Sequence, residues 1–214
     1  MRQLPRMLLI SLLMTAASPT AQSASEASLY YLPTSGWRDE GSRQFHERWF
    51  GDQLRAMNEP SLSEQASLSG LRQRFRLLVL PTFEPASAYR VDERPDGSAT
   101  LHWVRLTGRG GYAPGTVSAQ TDRVLRREEV QALDAAIAGA HLDALTREVS
   151  GEGTTHAYRD GSQRITVCAD GVTFGIEVRS ERGWRFVKLS CSSLAPLNLL
   201  IRTVIRLRPR TRAA

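Results

Sequence analysis

Apolar residues recur along this chain in two rhythms, and the change from one to the other marks its elements. In SRQFHERWFGDQLRAM, Phe45, Trp49, Phe50, Leu54 and Met57 fall at helical intervals, which predicts an amphipathic helix capped near Ser42. A Ser-rich connection runs from Asn58 to Gly70. From Arg72 the period drops towards two. RQRFRLLVLPTF is apolar and β-prone, Tyr89 to Arg94 alternates, Pro95-Asp96-Gly97 signals a turn, and SATLHWVRLT alternates again, predicting three successive strands. TVSAQTDRVL, beyond a glycine-rich stretch, is also strand-like. Helical spacing returns at about Arg127 to Ala140, with Val130, Leu133, Ile137, Leu142 and Leu145 directed inward and Glu128 and Glu129 favourably placed in the first turn. A polar, Gly-rich loop is expected over Ser150 to Gly161. RITVCA, the turn Asp170-Gly171 and VTFGIEVR read as a hairpin, and a second turn, Ser180 to Gly183, leads into WRFVKLS to complete a meander. Ser193 can cap a last helix, Leu194 to about Leu207, with Leu197, Leu200, Ile201, Val204 and Ile205 on one side and Arg202 and Arg206 on the other. Strand runs and helices are segregated. The fold expected is therefore α+β, an antiparallel sheet of hairpins and meanders packed with about three helices.

The first residues set the expected compartment. Arg2 and Arg6 precede the apolar run Met7 to Ala17, and small residues fill Ser18 to Ala24, which is the layout of a secretory signal peptide. The run is too short to span a bilayer, which needs roughly twenty apolar residues. Ala21-Gln22-Ser23 offers the cleavage site, so the expectation is an exported protein, periplasmic or secreted, beginning near Ala24. The domain plan that follows is a signal peptide over 1–23, a polar leader over 24–41, a single α+β domain over 42–207 and a basic tail over 208–214.

Charge and cysteine content refine this picture. The net charge of +6 falls to +4 without Arg2 and Arg6, and to −1 once Arg202, Arg206, Arg208, Arg210 and Arg212 are also set aside. A near-neutral body with a basic tail lacks the basic face of a nucleic-acid reader, so no nucleic-acid partner is expected. Cys168 and Cys191 are the two cysteines, and an oxidising compartment makes a disulfide between them the expectation. On the meander reading they stand on the two strands flanking VTFGIEVR, about 9.5 Å apart. Bonded cysteines need Cα atoms within about 7 Å, so the bridge requires Cys191 to leave the ladder.

LTGRGGYAPGT, Leu106 to Thr116, invites a phosphate-binding reading and fails it. Gly110 and Gly115 have P-loop spacing, but Thr116 and Val117 stand where lysine and a hydroxyl residue are required. The dinucleotide pattern breaks at Ala113. The stretch is read as a connection in which glycines supply positive φ, and no cofactor is expected. If the loop binds a partner, Arg109 and Tyr112 are its candidate contact residues, a donor fork and an amphipathic ring. His46-Glu47-Arg48-Trp49-Phe50 opens like a zinc helix but places Phe50 at the second ligand position, so His46 is read as a surface histidine and no metal site is expected. GxSxG is absent, and His102, His141 and His156 have no local carboxylate pattern. Glu177 alternates with Gly175 and Arg179; it is assigned to a polar face, paired with a cross-strand arginine such as Arg185.

Taken together, WFGDQLRAMNEPSL, RFRLLVLPTFEPASAYRVDERPDGSATLH, LTGRGGYAPGT, LRREEVQAL and ADGVTFGIEVRSERGWRFVKLSCSSL resemble a widespread family of short, uncharacterised exported bacterial proteins. The resemblance runs from about Trp49 to Leu207 and rests on Gly110, Gly111, Tyr112, Pro114, Gly115, Asp170, Gly171, Glu177 and Trp184 or Phe186; Phe174 stands where relatives usually carry tryptophan. It implies the architecture and carries no activity, ligand or catalytic residue.

Two function classes stand at this level. The first is a non-enzymatic exported binding or interaction module that touches an envelope protein or ligand through its sheet face or glycine loop. The second is a small periplasmic hydrolase or other enzyme with a spatially assembled site. The last helix adds a peripheral membrane contact as an alternative to packing on the sheet, because an apolar side flanked by arginines suits an interfacial helix. The sequence specifies neither an oligomeric state nor a catalytic residue.

Overall fold

A computed structural model describes residues 31–32, 37, 39–145, 148–150, 155–157, 163–165, 171–190 and 194–208. The order of elements is α1 (Glu40–Ala56), β1 (Gln73–Pro81), β2 (Ser87–Glu93), β3 (Ala99–Leu106), β4 (Val117–Val124), α2 (Arg127–Gly139), β5 (Glu148–Ser150), β6 (Thr155–Ala157), β7 (Gln163–Ile165), β8 (Val172–Ser180), β9 (Gly183–Ser190) and α3 (Ala195–Arg206), with short 3-10 turns at Gln65–Leu68 and Leu142–Ala144. The main sheet has the order β4-β3-β2-β1-β8-β9-β5. Six strands run antiparallel and short β5 joins the edge parallel to β9. The fold is α+β, as the segregation of strand and helix patterns predicts.

Helices cover both faces, which explains why β1 reads as a continuous apolar run: a central strand buried on both sides needs apolar residues at both parities. On one face Phe75, Leu77, Tyr89, Leu101, Trp103, Ile176 and Val187 pack beneath Val130 and Leu133 of α2 and Leu197, Leu200, Ile201 and Val204 of α3. On the other, Leu78, Leu80, Ala88, Val104, Leu106 and Phe186 pack beneath Phe50 and Leu54 of α1. The Pro95-Asp96-Gly97 turn forms, with Gly97 at φ +79° and the Asp96 side chain accepting from Ser98 N at 2.8 Å.

Several expectations shift. Asp39, and not Ser42, caps α1: its Oδ1 accepts from Ser42 N at 2.6 Å. Part of the leader is not polar surface, since Leu32 is buried and Trp37 stacks on His46 with ring centroids 4.9 Å apart. The expected loop over Ser150 to Gly161 contains β6 and the last residue of β5. The expected hairpin between RITVCA and VTFGIEVR is replaced. The two edges of β8 are taken by β1 and β9, and Arg164 and Ile165 belong to β7, which pairs with β6 in a separate two-stranded sheet. β1 contributes a long apolar ladder partner, whereas RITVCA contributes a short one, so the distant pairing wins over the adjacent one. α3 packs on the sheet as expected, but Ile205 is 40% exposed and Leu194 occupies the N-cap position. Residues 1–30, Cys168, Asp170, Cys191, Ser193 and the tail from 209 onward lie outside the described residues, and the expected export signal and disulfide fall among them.

Candidate functional site

The glycine stretch is a tightly self-bonded connection between β3 and β4. Thr107 N donates to Thr116 O, Gly108 N to Pro114 O, Arg109 N to Ala113 O, Gly110 N to Glu84 O, Gly111 N to Thr82 O and Tyr112 N to Arg109 O. These amides are occupied inside the protein, and a phosphate cradle needs them free. The glycines serve a different need. A Cβ on Gly108 would stand 2.1 Å from Ala113 O, and one on Gly110 2.6 Å from Pro81 O, so two backbones pass where no side chain fits. Gly115 supplies the positive φ expected of the turn. α1 fixes the loop from below. Trp49 Nε1 donates to Gly110 O at 2.6 Å and Gln53 Nε2 to Tyr112 O at 2.9 Å.

A fixed loop presents its side chains in fixed places. Tyr112 is 59% exposed and stacks on Phe83, itself 55% exposed, with centroids 6.2 Å apart. Arg109 lies exposed beside them, and its guanidinium has no hydrogen-bond or ion-pair partner among the described residues. Both contact residues suggested by the sequence are therefore at the surface of one loop. The sequence missed Phe83, which arrives from the β1–β2 connection and has no local pattern to mark it.

Under the α1 side of the sheet lies a row of charge built by register. Glu177, Arg76, Arg90, His102 and Asp122 are successive cross-strand partners on β8, β1, β2, β3 and β4. Arg76 is fully buried; its Nε donates to Glu177 Oε2 at 2.6 Å and its Nη1 to Pro60 O at 2.6 Å. Arg90 Nε donates to Glu59 Oε2 at 3.0 Å and Arg74 grips Asp92 with Nε at 2.8 Å and Nη2 at 3.0 Å. Burial pushes the Glu177 carboxyl above the usual carboxylate range, against the pull of Arg76. Glu177 thus lies buried beneath α1 and not on a polar face, and the cross-strand arginine it pairs with is Arg76. Arg185 lies opposite Val178, on the other face, and donates to the carbonyls of Leu142 and Leu145.

His102 closes the row between two carboxylates, Nε2 3.4 Å from Asp92 Oδ2 and Nδ1 2.9 Å from Asp122 Oδ1. Its hydrogen bond to Asp92 raises its pKa, with burial opposing. Burial alone would raise Asp92, but its bonds to His102, Arg74 and Arg90 hold it well below the usual range. Asp92 and Asp122 are distant in sequence and became neighbours only through strand register, so no local signal could announce them.

His46 is buried, contrary to the surface reading, because Trp37 covers it while its Nδ1 lies 2.7 Å from Ser42 O. Glu47 is buried too, its carboxylate accepting from Tyr31 N at 2.7 Å and Leu32 N at 2.8 Å. The zinc-helix resemblance thus dissolves into a clasp that holds the incoming chain. Among the described residues no group of three histidine, cysteine or acidic side chains is placed to hold a metal ion. An open hollow of about 850 Å³ lies between the end of α2 and the β8–β9 turn, with Arg72, Asp134, His141, Arg182, Trp184 and Arg185 among its lining. Arg72 there is bound by Asp134 at 2.9 Å and by Glu93. The chain matches no family model and no curated protein.

Proposed function

We propose that this chain is a non-enzymatic, exported binding module whose contact surface is the loop between β3 and β4. The observation that carries the reading is the Phe83–Tyr112 stack, two aromatic side chains each more than half exposed, Tyr112 on the loop pinned by Trp49 and Gln53 and Phe83 on the adjoining β1–β2 connection. Burying such rings against a partner removes a large apolar area from water at little cost in side-chain freedom. Arg109 beside them adds a donor fork of the kind enriched in interface centres. The enzyme reading gains less. His102, the histidine best supplied with carboxylates, turns both ring nitrogens to Asp92 and Asp122 and has neither left to take a proton from a nucleophile.

Site-specific photo-crosslinking tests this. A benzoylphenylalanine at position 112, in protein expressed in its native host, is expected to give discrete adducts that the same probe at exposed Arg94 does not. Identical adducts from both positions would count against the loop. The export part of the proposal predicts a mature N-terminus near Ala24 by mass spectrometry, and a Cys168–Cys191 disulfide that yields no free thiol until the denatured protein is reduced.

A further inference from the structure

We infer that this contact surface extends across α1 and takes an acidic, apolar peptide segment of a partner protein; the inference rests on the binding-module reading. Continuity is carried by contacts. Phe83 stacks on Tyr112, the chain two residues earlier accepts the Trp49 indole at Gly110 O, and Trp49 packs on Phe45 with centroids 5.6 Å apart. Phe45 is 58% exposed, comparable with Phe83 and Tyr112, although apolar positions of an amphipathic helix ordinarily face the core. Two groups of exposed aromatic side chains therefore flank Trp49 on one surface.

The charges around it are unequal. Arg48 and Arg109 are exposed, and neither guanidinium has a hydrogen-bond or ion-pair partner among the described residues. The nearby carboxylates are mostly committed: Asp52 accepts from Arg55 Nη1 at 2.8 Å and Glu47 accepts from the Tyr31 and Leu32 amides. Glu84, whose carbonyl accepts from Gly110 N, remains as the exposed carboxylate without a partner. At the start of α2, by contrast, exposed Arg126 is compensated by Glu128 and Glu129. Two uncompensated cations beside exposed rings match an opposing surface that carries apolar side chains and carboxylates, and guanidinium forks bind carboxylates in a bidentate way.

The test uses the mature chain, titrated by fluorescence anisotropy with a labelled twelve-residue peptide alternating glutamate and leucine, and with its lysine–leucine counterpart. Saturable, salt-weakened binding of the acidic peptide alone is the expected result. The variant R48E/R109E should weaken it by about tenfold or more and gain affinity for the basic peptide, a reversal that a folding defect cannot imitate. No binding of the acidic peptide, or equal binding of both peptides, overturns the acidic-partner inference while leaving the loop reading in place. Tyr112→Ala and Phe83→Ala should each weaken binding by about tenfold with unchanged circular dichroism. If neither matters, and crosslinking at 112 also gives no specific adduct, the loop reading itself falls. Binding that needs the arginines equally but transfers to heparin or to phosphatidylglycerol vesicles with higher affinity would also overturn the inference, in favour of a generic polyanion surface.

Discussion

Arg76 carries a permanent charge at a position with no solvent exposure, and its neighbours show how that is tolerated. Glu177 and Glu59 face it from either side and Pro60 O takes a further N–H. Removing one member of such a group strands the others, at about 3–5 kcal/mol, while replacing a complete pair by apolar residues costs much less. Arg76→Met should accordingly destabilise by that amount in urea unfolding, and Arg76→Met with Glu177→Leu by clearly less than the sum of the single changes. Simple additivity would mean that the pair is not coupled. His102 gives a pH signature. Its pKa is raised in the folded protein by Asp92 and Asp122, so its contribution is complete below the unfolded value of about 6.5 and is lost as pH rises through the folded value. From about pH 6 upward the wild type should lose stability relative to His102→Gln; a widening advantage with rising pH would contradict the assignment. Glu177 and His102 were both visible as single letters, yet their partners were not, because each partner lies on a strand whose register the local pattern does not encode.

The helices show how boundaries are decided by individual bonds. Periodicity located α1 to within a few residues but put its cap near Ser42, three residues inside the observed boundary. Asp39 bonds Ser42 N. Asp39→Ala should therefore cost about 1 kcal/mol by thermal or urea unfolding, and Ser42→Ala much less. The glycine connection was legible as a turn because four glycines and a proline sit between two strand patterns. Its reason was not, since close approach to Pro81 and Thr82 depends on a neighbouring loop. Gly110→Ala should push Leu80 and Pro81 away from the loop, destabilising by about 1–3 kcal/mol. It should also weaken peptide binding beyond what the lost stability explains. The β8 pairing shows the limit of local reasoning: an Asp-Gly turn adjacent to an alternating run favours a hairpin, yet β8 bonds β1, about a hundred residues earlier in the chain, through nine registered pairs.

Both cores lean on the same sheet, and this makes the molecule's stability collective. Leu54 belongs to the α1 side and Leu200 to the α2–α3 side, each almost fully buried. Alanine at either position should cost about 2–5 kcal/mol and move a single urea transition seen alike by far-UV circular dichroism and by tryptophan fluorescence, which reports Trp37, Trp49 and Trp184 on one face and Trp103 on the other. Separate transitions for the two probes would show that the faces unfold independently. What the sequence by itself determined is what short-range physics dictates: the class α+β, the approximate positions of α1, α2 and α3, the β1 to β4 strand patterns, the failure of the phosphate and zinc motifs, and Arg109 and Tyr112 as exposed loop residues. These follow from side-chain period, turn chemistry and backbone limits, all acting over a few residues. Only the tertiary structure decided which strand pairs with β8, that Phe83 joins Tyr112, that Phe45 and Trp49 continue the same surface, and that Glu177, Arg76, Arg90, His102 and Asp122 form one row. Those contacts join residues far apart in the chain, and their selection depends on burying two faces of one sheet at once.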